Sequence, residues 1–556
     1  MIIAKKTTTV LSALTVLLTL TISGCKTLTQ AEPVCVDDKL LYEMADKRTI
    51  DETLVAKGLS CANEHTVNTT MLSLGRIGGD KVAAYIMSQL QHTSEKVREQ
   101  AAFAVGISLA PFTVPALVDF LKLEQSPLVQ QQLAIAIGNL GHKDSASHLI
   151  DIINQPSSEQ AAKGAMKGLA ILSTFHRDKL TDTKKLNIEK VIGYLQSPVT
   201  RLEASFLLAR IPLLNPSHKQ PLKKVMQSFA QNRLEDDSQA NLVKALSAIS
   251  DLDDFDYFYQ RATGSDIGLY VTAIQALGKL PLGTDQQIDK MNHLLMSGDT
   301  IQRLTLLQSA AKWVTTENLQ LLLEHPDSLI QAAAFTAANH PKPLDFQRIA
   351  YTWLESDDPN LQRVAVDYAA KRGDKVLLEH LANSEKVIIA NGAKTALGTY
   401  QEPQSKALVT PETLPELNVK VELVTTQGVM VFGLNQDTPY TSANFINLVE
   451  QGFYHNTYFH RVIAHFVAQG GTQHGDGSGS VNHTIREELS NRSHLIGSVG
   501  MATAGKDTAG GQFFINLAPN LHLDSNYTIF ATVEKGMDVA LKLQQNDKIL
   551  TARIIK

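Results

Sequence analysis

The sequence is poor in the residues that usually classify a chain at sight. It has three cysteines in 556 residues, too few to staple a fold with this much apolar surface, so a disulfide framework is excluded. Aromatic residues reach only 6% and charged ones 19%, against 44% hydrophobic, which excludes both a disordered chain and a polytopic membrane protein. A basic excess is also missing. Lys and Arg number 51 against 56 Asp and Glu, for a net charge of −5, and no long Lys/Arg block appears, so there is no electrostatic footprint for nucleic acid. What remains is a long, globular chain that at roughly 100–200 residues per domain must hold several units.

The first 25 residues carry Lys5 and Lys6, a short apolar run and small residues ending at Cys25, the layout of a secretory signal. The ending Ile22-Ser23-Gly24-Cys25 resembles the lipobox of bacterial lipoproteins. That resemblance implies cleavage of residues 1–24, acylation of Cys25 and a membrane anchor made stable by more than one chain. Lys26, where an Asp is absent, implies the outer membrane, facing the periplasm. Residues 25–61 then form an N-terminal lipid-attached segment. Its Cys35 and Cys61 would meet an oxidising compartment, and a disulfide or two separate buried thiols are equally compatible with their spacing.

From about 62 to 400 the chain is rich in Ala and Leu at helical spacing, with a recurring theme: Ser94-Glu-Lys-Val97 to Ala104-Val105-Gly106, Ser126-Pro-Leu-Val129 to Gly138, Ser265 to Gly278, Asp358-Pro-Asn-Leu to Ala370, and Ser384-Glu-Lys-Val387 to Gly398. Each copy predicts a helix opened by a Ser or Asp cap, with Pro tolerated in the first turn, an apolar stripe, and a closing Gly. A second helix follows each. Such a unit cannot bury its apolar face alone and must stack on its neighbours. The region resembles a HEAT-type α-solenoid of roughly ten repeats at about 30 residues each, which implies a protein-binding platform. No HExxH, CxxC, P-loop or nucleophile elbow occurs in it.

At 401–416, Pro403, Pro411 and Pro415 interrupt a polar run that reads as a linker between loosely coupled units, open to proteolysis. Beyond it, over 417–556, the period changes. Val419, Val421 and Leu423 alternate with polar residues, a turn at Thr425–Gly428 follows, and Val429–Leu434 returns as a hairpin. Thr441–Glu450 reads as a capped amphipathic helix. The expectation is a mostly-β closed barrel with flanking helices.

Within this unit the run Phe459-His460-Arg461-Val462-Ile463-Ala464-His465-Phe466-Val467-Ala468-Gln469-Gly470-Gly471, followed by Gly500-Met501-Ala502-Thr503-Ala504-Gly505, Gly511-Gln512-Phe513-Phe514-Ile515-Asn516 and His522-Leu523-Asp524, resembles the cyclophilin-type peptidyl-prolyl cis-trans isomerases. The resemblance implies catalysis by Arg461 with Gln469. It also implies a proline pocket of Phe466, Met501, Phe514 and Leu523, and a groove that includes Ala502, Thr503, Gln512, His522 and Tyr527. The residue types suit the reaction. An X-Pro amide resists rotation by about 18–20 kcal/mol through resonance. In the twisted state its nitrogen gains a lone pair that a fixed donor can stabilise selectively, and a guanidinium never deprotonates. No cofactor or metal is called for.

Three departures stand out. Ala464-His465 replaces a common Pro-Gly pair, Thr503 replaces an asparagine, and His522 replaces an aromatic residue, often Trp. Seven histidines fall in the unit without a tight ligand spacing on one element. The sequence thus points to a membrane-tethered isomerase of the bacterial cell envelope acting on Pro-containing polypeptides, with a protein partner on the solenoid surface. The alternative is a scaffold lipoprotein whose cyclophilin fold only binds Pro-containing segments.

Overall fold

The computed structural model describes residues 35–228, 238–338, 346–401, 407–409, 414–415 and 417–555. The signal sequence and Cys25 lie outside them. Twelve helices stack side by side as an inner layer: Asp38–Asp46, Glu64–Ile77, Glu95–Gly106, Pro127–Leu140, Glu159–Phe175, Arg201–Leu208, Ser238–Leu246, Ile267–Lys279, Thr300–Ser309, Ser328–Ala337, Pro359–Arg372 and Val387–Ala396. An outer helix lies between each successive pair, so the described residues hold eleven two-helix units and one further helix. The array starts earlier than 62. Leu41, Met44 and Val55 already belong to its core, and a Cys35–Cys61 disulfide, with Cα atoms 5.5 Å apart, closes the first unit.

The caps follow the sequence pattern where Ser or Asp sits directly before the helix. Ser126 accepts from the Val129 amide, Asp266 from Leu269 and Asp358 from Asn360 and Leu361, while Pro127 and Pro359 occupy first turns. Ser94 makes no such bond. The repeated glycine has a different job from the one expected. Gly138 and Gly278 lie inside the last helical turn, and a Cβ there would collide with the backbone of Gly168 and of Ser309. They let successive inner helices approach closely, and of these repeated glycines Gly398, with φ 69°, sits past a helix end as a terminator.

The C-terminal unit has eleven strands among the described residues: β1 Ala407–Leu408, β2 Lys420–Thr425, β3 Gly428–Leu434, β4 Thr457–Tyr458, β5 Arg461–Ile463, β6 Val467–Gly470, β7 His483–Thr484, β8 Ser498–Met501, β9 Phe513–Asn516, β10 Ile529–Lys535 and β11 Lys548–Ile555. Nine form one antiparallel sheet in the order β4-β11-β2-β3-β10-β8-β9-β6-β5. It curls into a half-barrel around Phe432, Phe445, Phe459, Phe513 and Phe530. Its margins approach each other at the isolated Tyr458–Thr472 bridge, so the sheet is a half-barrel where full closure was expected. The helix Pro439–Glu450 takes no cap from its own side chains. Glu488, from a distant loop, accepts from the Tyr440 and Thr441 amides instead.

The two units are not loosely strung. The inner layer contacts the half-barrel from its first helix to its last: Tyr42 on Tyr440 at 5.2 Å, Asp46 on Arg486 at 2.7 Å, Arg76 on Asp507 at 2.9 Å, Glu99 on Asn491, Lys167 on Asp524 at 2.5 Å, Phe206 on His522, Asn360 on Asn546 and Asn391 on Asp476. Leu521 is part of the helical core itself, and Ala464 packs on it. Linker residues 407–408 pair in parallel with β7. The expectation of mobile neighbours therefore fails, because apolar and charged contacts far from 401–416 hold the half-barrel inside the array.

Candidate active site

Four strands set out the site in one row. Arg461 on β5 stands opposite Gln469 on β6, Gln469 opposite Phe514 on β9, and Phe514 opposite Gly500 on β8. Directly paired residues share a face of the sheet, so the guanidinium, an amide and an aromatic ring face the same groove. A Cβ on Gly500 would collide with the Phe514 ring, so the glycine makes room for that ring to lie across β8. Phe514 is further fixed by stacking on His494 at 5.8 Å and by an edge contact with Tyr527 at 5.5 Å.

The amides form a short relay. Gln469 Nε2 donates to Gln512 Oε1 at 3.0 Å, and Gln512 Nε2 donates to the Gly477 carbonyl at 3.1 Å. Gln512 also accepts, through its carbonyl, from the Ala502 amide, which lays half-buried Ala502 and Thr503 along the groove. Arg461 is exposed and its guanidinium carbon lies 5.7 Å from the Phe466 ring centre. Asn520 Nδ2 donates to the Phe466 carbonyl and so pins the turn beneath that ring.

One assignment changes. Met501 pairs with Phe513 across β8 and β9, one residue out of step with the Gly500–Phe514 pair. Side chains alternate along a strand, so Met501 points into the barrel core, where it has no accessible surface, and it does not line the pocket. Phe466 and Phe514 remain at the groove, with half-buried His522 and Tyr527 against them, and half-buried Leu523 follows His522 in the turn Leu521–Leu523.

The sequence departures become structural. His465 sits at the β5–β6 turn with φ 58°, the left-handed conformation that suits glycine, and turns its ring into the helical array. His522 is sandwiched between Phe466 at 5.8 Å and Phe206 of the array at 6.1 Å. Both imidazoles are pushed down to about 4. For His465, burial dominates, with Lys244 and Arg210 adding to it and Asp266 opposing. For His522, burial again leads, with Arg210, Lys244 and His494 adding and Asp524 opposing. Beneath them burial works against the Asp524 carboxylate, yet Lys167 and His494 hold it below its ordinary range. Lys167, Phe206 and Asn520 carried no catalytic signal in the sequence, and Asp524 stood in the family run without a role of its own. The one available clue was that two family positions had become histidine.

These depressed values have a definite sign. Both rings are neutral in the folded protein, while an unfolded histidine takes up a proton near 6.5. Stability should therefore be complete above that pH and fall as pH drops from 6.5 toward 4, by about 2 kcal/mol per ring at pH 5. The thermal midpoint is expected to fall between pH 7 and pH 5, and less steeply in a His465→Gln/His522→Gln variant. An identical slope in that variant would place the titration elsewhere.

Residues 420–555 match the family described as cyclophilin type peptidyl-prolyl cis-trans isomerase/CLD, and residues 83–170 match HEAT repeats. A peptidyl-prolyl cis-trans isomerase of Synechococcus elongatus is 42% identical over 123 residues, covering 22% of this chain and 85% of the relative. One from Helicobacter pylori is 43% identical over 118 residues, covering 20% and 72%. Peptidyl-prolyl cis-trans isomerase B of Bacillus subtilis is 42% identical over 118 residues, covering 21% and 82%. A solved cyclophilin-type isomerase of Cryptosporidium parvum, crystallised in the presence of dipeptide ala-pro, is 26% identical and covers 25% of this chain and 99% of its own, with a TM-score of 0.24.

Proposed function

This chain belongs to the cyclophilin-type peptidyl-prolyl cis-trans isomerases, and we propose that it rotates X-Pro bonds of exported polypeptides while anchored through Cys25 to a bacterial envelope membrane, the outer one facing the periplasm. The observation that carries the catalytic part is the row Arg461–Gln469–Phe514, which puts a permanent cationic donor and an amide beside an apolar ring pocket. The proline ring enters against Phe466, Phe514 and Leu523. Gln469 holds the neighbouring backbone, and Gln512 with Ala502 orients the chain along the groove. As the amide twists, its nitrogen becomes pyramidal and Arg461 donates to the new lone pair. That bond is stronger in the twisted state than in either planar one, so it lowers the barrier and not merely the ground state.

The cellular part of the reading draws on the N-terminal signal pattern and on the Cys35–Cys61 disulfide, which suits an oxidising compartment. Among the described residues no helix is long and apolar enough to cross a membrane; the proposed anchor is acylated Cys25, on the lipobox resemblance of Ile22-Ser23-Gly24-Cys25. Because the inner face of the solenoid holds the isomerase, a protein partner would dock on the outer helices. Cys25→Ala is expected to abolish incorporation of labelled palmitate and move the protein out of the membrane fraction. Retention of both by the variant would defeat the lipoprotein reading while leaving the isomerase intact.

A further inference from the structure

Behind the proline pocket lies a buried polar network that reaches both of its aromatic rings. Asn520 Nδ2 donates to the Phe466 carbonyl at 2.9 Å and to Asn516 Oδ1 at 2.8 Å. The Asn520 amide donates to the His494 carbonyl at 2.7 Å, and its carbonyl accepts from the Leu523 amide at 2.8 Å. The His494 ring in turn lies nearly parallel to Phe514, at 14° and 5.8 Å, while Tyr527 makes an edge contact with both rings. Asp524 fixes that imidazole. Its Oδ1 accepts from the His494 amide at 2.7 Å and from Nδ1 at 2.9 Å, which places the ring hydrogen on Nδ1 and sets the plane that Phe514 stacks against. His494, Asn516, Asn520 and Asp524 are all buried.

A carboxylate enclosed in this way needs a cation, and Asp524 takes it from outside the half-barrel. Lys167 Nζ, on the inner helix Glu159–Phe175 of the solenoid, lies 2.5 Å from Asp524 Oδ2 and donates to Ser493 Oγ at 3.0 Å. An unpaired buried carboxylate is expensive, so without Lys167 the side chain would take up a proton or turn toward water. Either response weakens Oδ1 as the shared acceptor of the His494 amide and ring. The disturbance then passes to Phe514 through the stacked imidazole and to Phe466 through Asn520, because members of a buried network depend on one another.

We propose that Lys167 is a positioning residue of the isomerase: by neutralising Asp524 it holds His494 and Asn520 where Phe514 and Phe466 can grip a proline ring, so the solenoid completes the pocket. The inference rests on the isomerase reading and adds to it a residue from the other unit. None of these groups touches the reacting amide. They act on how the ring is held, which is common to the planar and twisted states, so their loss belongs in KM more than in kcat.

The test uses the full chain and a short X-Pro peptide, at a temperature where each variant keeps the near-UV spectrum of the folded protein. Lys167→Met is expected to raise KM about tenfold, the scale of one net hydrogen bond, with kcat changed by less than about twofold. Adding Asp524→Asn, whose amide oxygen still accepts from His494, should return KM to near the wild-type value. Asp46→Asn, which weakens the pairing of Arg76 and Arg486 at the first helix of the array, should lower the thermal midpoint and leave KM unchanged. If Lys167→Met does not fold, Lys167→Met/Asp524→Leu takes its place, since an apolar pair is often tolerated where a buried ion pair stood. Lacking an acceptor for His494, it should show the raised KM. A folded Lys167→Met or Lys167→Met/Asp524→Leu protein with wild-type KM, a rise that Asp524→Asn does not relieve, or an equal rise in Asp46→Asn overturns the positioning role while the isomerase stands. A wild type that turns over no X-Pro peptide defeats the isomerase reading instead. The same variants measured for peptide Kd by anisotropy then decide the network: binding weakened by Lys167→Met and restored by Asp524→Asn keeps it, and equal binding rejects it.

Discussion

Arg461→Ala is expected to remain folded and to lower kcat/KM for X-Pro isomerisation by about 100-fold, or about 2.7 kcal/mol, the scale of losing one aimed donor at a transition state. The side chain is exposed on a short outer strand and touches the array through no ion pair among the described residues, so truncation should leave the thermal midpoint unchanged within a degree or so. The loss should fall on kcat more than on KM, because the guanidinium meets its lone pair only when the amide is twisted. Arg461→Lys should recover little, since an ammonium lacks the rigid fork that places two donors at once. A folded Arg461→Ala protein with full activity would make the arginine incidental and would favour a domain that only binds proline segments.

Lys167→Met is expected to cost about 3–5 kcal/mol, the penalty for leaving one half of a buried ion pair unpaired. Lys167 is 8% exposed and Asp524 3%. Asp524 also accepts from the His494 amide at 2.7 Å and from its ring at 2.9 Å, and Lys167 donates to Ser493 at 3.0 Å. The pair thus ties the solenoid to the two loops that carry His494 and Leu523 beside the pocket. Two readouts separate loosened docking from general damage. A protease nick within 401–416 should leave the wild-type halves co-eluting on gel filtration, whereas the nicked Lys167→Met halves should come apart. Lys167→Met/Asp524→Asn, which removes both charges, should regain part of the lost stability. Dissociation of the nicked wild type would mean that the contacts between solenoid and half-barrel are too weak to matter.

Much of the site was legible because its chemistry is local. Arg461, Gln469, Gln512 and Phe514 sit in runs whose order and spacing carry the family pattern, and β-pairing then lines them up. Met501 was misassigned for a reason the sequence also holds. It alternates with Gly500, so if one faces the groove the other cannot. The repeated glycines show a subtler limit. Their phase in the sequence fits a helix terminator, but whether a glycine ends a helix or lets another backbone approach depends on what packs against it.

The sequence by itself determined the two architectures, because helical stripes at a 3.6-residue period and strands at a two-residue period each specify which face must be buried. It also named the residues proposed here as reacting groups. Only the tertiary structure decided how the halves relate. The linker composition suggested independence, since a short polar stretch with three prolines says nothing about surfaces hundreds of residues apart. The contacts that enclose the half-barrel join Arg76 to Asp507, Lys167 to Asp524 and Phe206 to His522. None of these pairs shares a periodicity or a motif. Each exists because the curvature accumulated over many small helix-to-helix rotations brings the inner face of the solenoid around a domain encoded at the far end of the chain.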